Sequence, residues 1–232
     1  MKKKYLILAP TPWELEPILD VFTPYMSINK HPFKVHMCRD GDVELNIFSS
    51  GIGVASTAFA VGYAFQNLHV SELILIGFGG IISKHENLLG KIVIAKSDRY
   101  LKFGAKTNDG FDDLSIKYDL LDGHHNKPPF HFDSHLWMKD KYQHLHFGTC
   151  DELSTTQDDL DFISRVYPDI AIESMEGAAL AQIANLYGTN CIQARAITNL
   201  IANRDINTWL IKEAKQSIKD FCIQLLSHWK TL

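Results

Sequence analysis

Three short runs in this chain are apolar without interruption: Tyr5 to Ala9, Leu73 to Ile76 and Ile92 to Ala95. A strand with one face in water alternates polar and apolar side chains. Unbroken runs belong to strands covered on both faces. Helical patterns lie between them. Pro10 and Pro12 close the first run, and Leu15, Ile18, Leu19 and Phe22 then share one helix face. After an alternating strand at 43–50, Ser49-Ser50-Gly51-Ile52-Gly53 opens a helix whose inner face carries Ala55, Ala58, Phe59, Gly62 and Phe65. The spacing further predicts a helix at about 174–187, a strand over 191–198 and a long C-terminal helix that buries Trp209, Ala214, Ile218, Phe221 and Leu225. This alternation predicts an α/β fold, a three-layer α/β/α sandwich on a twisted, largely parallel central sheet. Residues 99–147 lack a clear period and are expected to form an irregular insertion with room for a hairpin. The 232 residues, 46% of them hydrophobic, are expected to form a single domain.

Charge and composition exclude several functions. The formal net charge is −4, and the one basic block is Lys2-Lys3-Lys4, which argues against a nucleic-acid surface. The apolar stretch after those lysines is broken by Pro10, Pro12 and Glu14, too early for a secretory signal, and no stretch is long enough to span a bilayer. Cys38, Cys150, Cys191 and Cys222 have no CxxC spacing, so they are expected to be reduced and mostly buried in a cytoplasmic protein. Six histidines (His124, His125, His131, His135, His144 and His146) crowd residues 120–150, without HExxH or cysteine-paired spacing. They read as a polar excursion, and neither a metal nor a cofactor is expected.

The run Glu173-Ser174-Met175-Glu176-Gly177-Ala178-Ala179 carries the chemistry. An acid near a helix N-terminus gains from the helix dipole, which explains its ionisation but not its apolar company. Such a carboxylate needs partners, and ligand hydroxyls would serve. The strand Arg195-Ala196-Ile197 stops on Thr198 and Asn199. In open α/β sheets the ligand crevice lies beyond the carboxyl ends of strands, so Glu176 and Asn199 are expected to face one pocket. Gly51-x-Gly53 lacks the third glycine of a dinucleotide fingerprint. Gly77-Phe78-Gly79-Gly80 fits either a backbone approach to a ligand or a sharp chain reversal.

The motifs occur in a telling order: an apolar strand then Thr-Pro-x-Glu, Ser-Gly-Ile-Gly opening a helix, Gly-Phe-Gly-Gly, Ser-Met-Glu-Gly-Ala-Ala, and Arg-Ala-Ile-Thr-Asn. Together they resemble the purine nucleoside phosphorylase and nucleosidase superfamily over essentially the whole chain. Two branches are similar: the methylthioadenosine/S-adenosylhomocysteine nucleosidases and, through the tail from Asn199 to Arg204, Asp205 and Trp209, the futalosine hydrolases. The resemblance implies an N-glycosyl hydrolase acting on a small purine nucleoside, futalosine in the second branch, in a homodimer or higher homo-oligomer. It implies that Glu176 holds the ribose hydroxyls with Met175 packed on the sugar, and that Glu14 activates water, with Glu16 as the alternative. It also implies that Gly77, Phe78 and Gly79 lie along the nucleoside and that Leu153 supplies backbone bonds to the base.

Asn199 takes the position where adenine-cleaving nucleosidases carry an aspartate. An amide can donate to a 6-oxo oxygen and accept from N7–H, which implies release of hypoxanthine rather than adenine. Arg204 is implied at the far end of the substrate, or else at the surface beside Asp205. The turns at 9–14 and 49–54 hold no Arg or Lys for a phosphate, which favours water over phosphorolysis. A nucleoside phosphorylase, or a binding protein that has lost catalysis, is the remaining alternative.

Overall fold

The computed structural model describes residues 4–108, 110–121, 124 and 126–231. Lys2, Lys3 and His125 lie outside the described residues. The first half runs β1 (Lys4–Ala9), α1 (Pro12–Val21), β2 (Met26–Lys30), β3 (Phe33–Asp40), β4 (Val43–Ser49), α2 (Gly53–Asn67), β5 (Glu72–Ile81) and β6 (Ile92–Tyr100). A hairpin of β7 (Gly104–Thr107) and β8 (Gly110–Asp113) follows, then α3 (Leu114–Lys117), β9 (Phe130–His131) and α4 (Leu136–Lys141). The rest is β10 (Gln143–Thr149), α5 (Gln157–Val166), β11 (Ile170–Ser174), α6 (Gly177–Leu186), β12 (Asn190–Leu200) and α7 (Ile211–Trp229).

The apolar runs are the centre of the sheet. In β1 the residues from Tyr5 to Ala9 are all buried, and β4 and β5 flank it in parallel register. α1 and α7 pack on one face, where Tyr5, Ile7 and Ile74 meet Ile18, Ile218 and Phe221. α2 and α6 cover the other, where Leu6, Leu8 and Leu73 meet Ala60, Ala64, Ala181 and Ala184. The alanines let these helices lie close to the sheet.

The sheet departs from the expected sandwich in two ways. It is mixed: β12 joins β6 antiparallel, and β2, β3 and β4 form an antiparallel meander. It also curls. β5 continues past Ile76 through its glycines and pairs antiparallel with β11 at Glu173↔Gly80 and Ile172↔Ile81. The order β5–β12–β6–β10–β11 therefore closes back on β5 as a ring. A third core cluster draws on all five of these strands, with Ile81, Val93, Phe147, Ile172 and Ile197 among its members. Glycine makes the curl possible. A side chain at Gly79 would meet Ile172 Cγ2 at 3.2 Å and Glu173 O at 3.5 Å, so a larger residue would push β11 off β5.

Residues 170–174 form β11, so Ser174, expected at the start of a helix, ends a strand instead and α6 begins only at Gly177. The histidine-rich interval supplies a ring strand: His144 and His146 belong to β10, and His146 Nδ1 lies 2.8 Å from Ser97 Oγ of β6. All four cysteines are buried and unpaired. Among the described residues no helix is long and apolar enough to cross a membrane, and no group of three or more His, Cys, Asp or Glu side chains could hold a metal ion.

Candidate active site

A cavity of about 230 Å³ opens at the carboxyl ends of β1, β5 and β12. Its wall includes Glu14, Phe78, Gly79, Gly80, Leu153, Glu173, Met175, Glu176, Thr198, Asn199, Arg204 and Trp209. The ends of central strands and the starts of α1 and α6 thus supply one pocket from distant segments.

Glu14 sits in the first turn of α1 and is 4% exposed, not solvated as a first-turn glutamate usually is. Its Oε2 accepts from Thr11 N at 2.9 Å and Thr11 Oγ1 at 2.5 Å, and its Oε1 accepts from Phe78 N at 2.7 Å. Burial raises its pKa above the ordinary glutamate range; the bonds from Thr11 and Phe78 and the charge of Arg195 oppose that rise without cancelling it. Glu16 points away, paired with Lys215 at the surface. Gly77 lies behind Glu14 rather than on the cavity wall. A Cβ there would stand 2.5 Å from Arg195 Nη1 and 2.8 Å from Glu14 Oε1, so glycine lets the cation and the acid approach β5.

Glu176 is the N-cap residue of α6. Its Oε1 accepts from Gly53 N at 3.1 Å, and its Oε2 accepts from Arg195 Nη2 at 2.9 Å and Met175 N at 3.3 Å. Arg195, 1% exposed, also donates from Nε to Gln193 Oε1 and from Nη1 to Phe78 O. Gln193 Nε2 in turn donates to Asp98 Oδ2 at 2.9 Å, and Thr149 Oγ1 donates to Asp98 Oδ1 at 3.0 Å. A continuous buried chain, Asp98–Gln193–Arg195–Glu176, therefore holds the Glu176 carboxylate from behind. Burial pushes the Asp98 carboxyl up to about 7. Buried polar chains of this kind are rigid only when every member is satisfied, and each link here has a partner.

Asn199 is placed by an irregularity. The β12–β5 register shifts between Ile197 and Asn199, so Thr198 is the extra residue and Asn199 turns to the cavity beside Gly80. Its Oδ1 accepts from Thr198 Oγ1 at 2.8 Å, and its Nδ2 donates to Leu200 O and Asn203 O. Oδ1 keeps one lone pair for a ligand, while the NH₂ must exchange a loop carbonyl for a ligand acceptor. Arg204 is exposed and stacks over the Trp209 ring at 5.1 Å, and both residues rim the cavity. Leu153 lines it too, but the neighbouring amide of Ser154 is already bonded to Glu173 Oε1 at 3.0 Å.

The structure thus brings Glu14, Glu176, Met175, Phe78, Gly79, Leu153, Asn199 and Arg204 to one cavity and leaves Gly77 behind it. Sequence reasoning assigned no role to Glu173, Arg195, Gln193 or Asp98. For Gln193 and Arg195 a signal existed: two polar residues at a spacing of two in an otherwise apolar strand share one face.

The comparisons with known proteins agree with this architecture. A 5′-methylthioadenosine/S-adenosylhomocysteine nucleosidase from Maridesulfovibrio salexigens is 24% identical over 198 residues, 84% of this chain and 85% of its own. The crystal structure of S-adenosylhomocysteine nucleosidase from Streptococcus pyogenes, in complex with 5-methylthiotubericidin, superposes with a TM-score of 0.77 at 23% identity, covering 95% of both chains. Futalosine hydrolase of Helicobacter pylori superposes with a TM-score of 0.74 at 17% identity, covering 95% of this chain and 96% of that one. The phosphorylase superfamily model matches residues 4–228. With nearly the whole length matched, the chain belongs to the phosphorylase superfamily.

Proposed function

We propose that the protein is a nucleosidase that hydrolyses the N-glycosidic bond of futalosine and releases hypoxanthine. The observation that carries the reading is the convergence of Glu14, Glu176 and Asn199 on one cavity. Cleavage of such a bond passes through an oxocarbenium-like sugar. Glu176, held by Arg195 and the Gly53 amide, binds the ribose hydroxyls and stabilises the developing positive charge. Glu14, ionised and more basic than usual because it is buried, takes the proton of the attacking water. The electron pair of the broken C–N bond leaves on the base, which takes a proton from solvent at N7; the Asn199 carbonyl accepts from that N7–H and its NH₂ donates to O6.

Water rather than phosphate is the nucleophile in this reading. Three carboxylates, Glu14, Glu173 and Glu176, stand on the wall, with Arg204 the cation among its lining residues, exposed at the rim. A phosphate dianion would meet repulsion there. The amide of Gly53, at the start of α2, is already taken by Glu176. The named activity of the Helicobacter pylori relative supports futalosine as the substrate, and Arg204 with Trp209 offers a flat cationic rim for a carboxylate on its far end. The names of the Maridesulfovibrio and Streptococcus relatives favour a second reading, a methylthioadenosine/S-adenosylhomocysteine nucleosidase, which shares the mechanism but needs a proton donor where this chain has Asn199.

Chromatography of the base released from futalosine, inosine and methylthioadenosine, with and without phosphate, tests the reading. Hypoxanthine from futalosine at a rate indifferent to phosphate is the expected result. Adenine from methylthioadenosine alone would replace the reading with the second.

Asn199→Asp is expected to weaken cleavage of 6-oxopurine nucleosides and to improve cleavage of 6-aminopurine ones. The kcat/KM ratio for the two classes checks it, and an unchanged ratio would remove Asn199 from base selection. The pH profile gives an independent check on Glu14. Its raised pKa means that the ionised base is present above that pKa and lost as pH falls through it. The acid limb of kcat/KM is therefore expected above the ordinary glutamate range, and a limb at or below that range would contradict the role.

A further inference from the structure

We propose that Glu173 reads the N1–H of a 6-oxopurine, so that Glu173 and Asn199 hold the base edge between them. The inference rests on the nucleosidase reading and gives it a second base-selecting residue. Glu173 is 5% exposed. Its Oε1 accepts from Ser154 N, whereas its Oε2 is buried with no hydrogen-bond partner among the described residues. A carboxylate oxygen held in that way is costly unless a donor arrives, and the cavity it lines is where a donor would come from. Ser174 Oγ, on the same wall, is also buried without a partner.

The sheet sets the spacing. Glu173 of β11 and Asn199 of β12 both pair with Gly80 of β5, one from each side. Their Cα atoms are therefore about two strand spacings, roughly 10 Å, apart, a span that admits a flat bicyclic base. Along the edge of a 6-oxopurine, N1–H, O6 and N7 follow in order as donor, acceptor and acceptor. An ionised carboxylate only accepts, so Glu173 Oε2 suits N1–H; the Asn199 NH₂ donates to O6, and its Oδ1 accepts from N7 once the departing base is protonated there. A 6-aminopurine presents a lone pair at N1, which faces the carboxylate repulsively.

Ser154 makes the selection directional. In Glu173→Gln the amide oxygen must stay on the Ser154 N–H, since an NH₂ there would set donor against donor. The NH₂ then occupies the place of Oε2 and points a donor at N1. That arrangement opposes a 6-oxopurine and suits a 6-aminopurine.

The test uses inosine and adenosine as substrates, and hypoxanthine, 1-methylhypoxanthine and adenine as calorimetric ligands, with wild type and Glu173→Gln. Glu173→Gln is expected to lower kcat/KM for inosine by roughly 10–100-fold, the size of one hydrogen bond to a charged group. The adenosine-to-inosine ratio should rise by more than that. Wild type is expected to bind hypoxanthine at least about 10-fold more tightly than its N1-methyl derivative, which lacks the donor, and the variant to lose that preference. The ligand pair needs no variant, so it decides even if Glu173→Gln fails to fold. Equal binding of the two bases by wild type would overturn the proposal, as would turnover with an unchanged ratio in the variant; both would leave hydrolysis standing. No turnover of any nucleoside, with the Glu173-dependent preference intact, would overturn hydrolysis and support the base reader.

Discussion

Glu14→Gln is expected to lower kcat by about 10²–10⁴-fold, the usual contribution of a positioned general base. The substitution keeps the shape of a buried side chain and can still accept from Phe78 N. It removes the one group on the α1 side of the cavity able to take a proton from water. KM should change little, because the proposed mechanism puts the ribose and base contacts on Glu176, Asn199 and their neighbours. Stability should move the other way. Burial raises the Glu14 pKa, so its ionised form destabilises the fold increasingly as pH rises through that pKa. At neutral pH the neutral amide removes that penalty, offset in part by the misfit of an NH₂ facing Thr11 N. A melting temperature unchanged or raised, beside a collapse in kcat, is the expected pair, and such trade-offs mark sites built for chemistry. Retained kcat would show that the water is activated elsewhere.

The second large effect falls on Gly177. A Cβ at this position would stand 2.1 Å from both Asp98 Oδ2 and Gln193 Oε1, and 2.3 Å from Gln193 Nε2. None of these atoms belongs to a flexible surface side chain: Asp98 and Gln193 are both fully buried and bonded to each other. Gly177→Ala must therefore lift the start of α6 or break the Asp98–Gln193 bond. Overpacking of a dense core costs about 1–3 kcal/mol. Leaving a buried polar partner unpaired adds about 1–3 kcal/mol more. A loss of several kcal/mol in urea unfolding is expected, with loss of activity in the protein that still folds, since Arg195 and Glu176 are held through the same chain. Gly62, in the middle of α2, supplies the control. Nothing lies within 4 Å of a Cβ there, so Gly62→Ala should stabilise the protein by about 0.5–1 kcal/mol through helix propensity. Equal effects of the two substitutions would refute the packing argument.

Much of the fold was legible because burial on both faces leaves an unmistakable pattern. β1 and the first halves of β5 and β6 are apolar runs, and α6 and α7 carry their core residues at helical spacing. In α2 the expected inner face is the wrong one: Thr57, Ala60, Val61 and Ala64 are buried, whereas Ala55 and Phe59 are exposed, because alanine and glycine on several faces leave the pattern ambiguous. Trp209, expected among the buried residues of the C-terminal helix, precedes α7 and rims the cavity. The strands that escaped notice have mixed surroundings. β2 and β3 lie at the sheet margin, and charged or polar residues interrupt Ile28, Val35 and Cys38. β10 is disguised by His144 and His146, both half-buried: His146 meets Ser97 of β6, and His144 meets the Tyr142 carbonyl of its own segment. β11 is short, and its last residue, Ser174, abuts the small-residue pattern of the following helix.

The site divides in the same way. Glu176 and Asn199 were legible from local context, at a helix start and a strand end, while Glu14 stood out only through the resemblance. Glu173 was not, because its meaning depends on pairing with Gly80 across the ring, a contact that no local pattern announces. Asp98, Gln193 and Arg195 form a chain between two strands that are distant in sequence and antiparallel in the sheet.

The position of β5 in the sheet has a consequence for synthesis. β1 pairs with one of its edges, and both strands lie in the first half of the chain. The other edge is completed only by β12, and the curl only by β11. Until those segments leave the ribosome, Leu73 to Ile76 line an unpaired edge, the kind of template on which chains aggregate. At roughly 5–20 residues per second the exposure lasts on the order of ten seconds. The nascent chain therefore carries its aggregation hazard at the same strand that later carries the cavity floor, and a holding chaperone would be of most use in that interval.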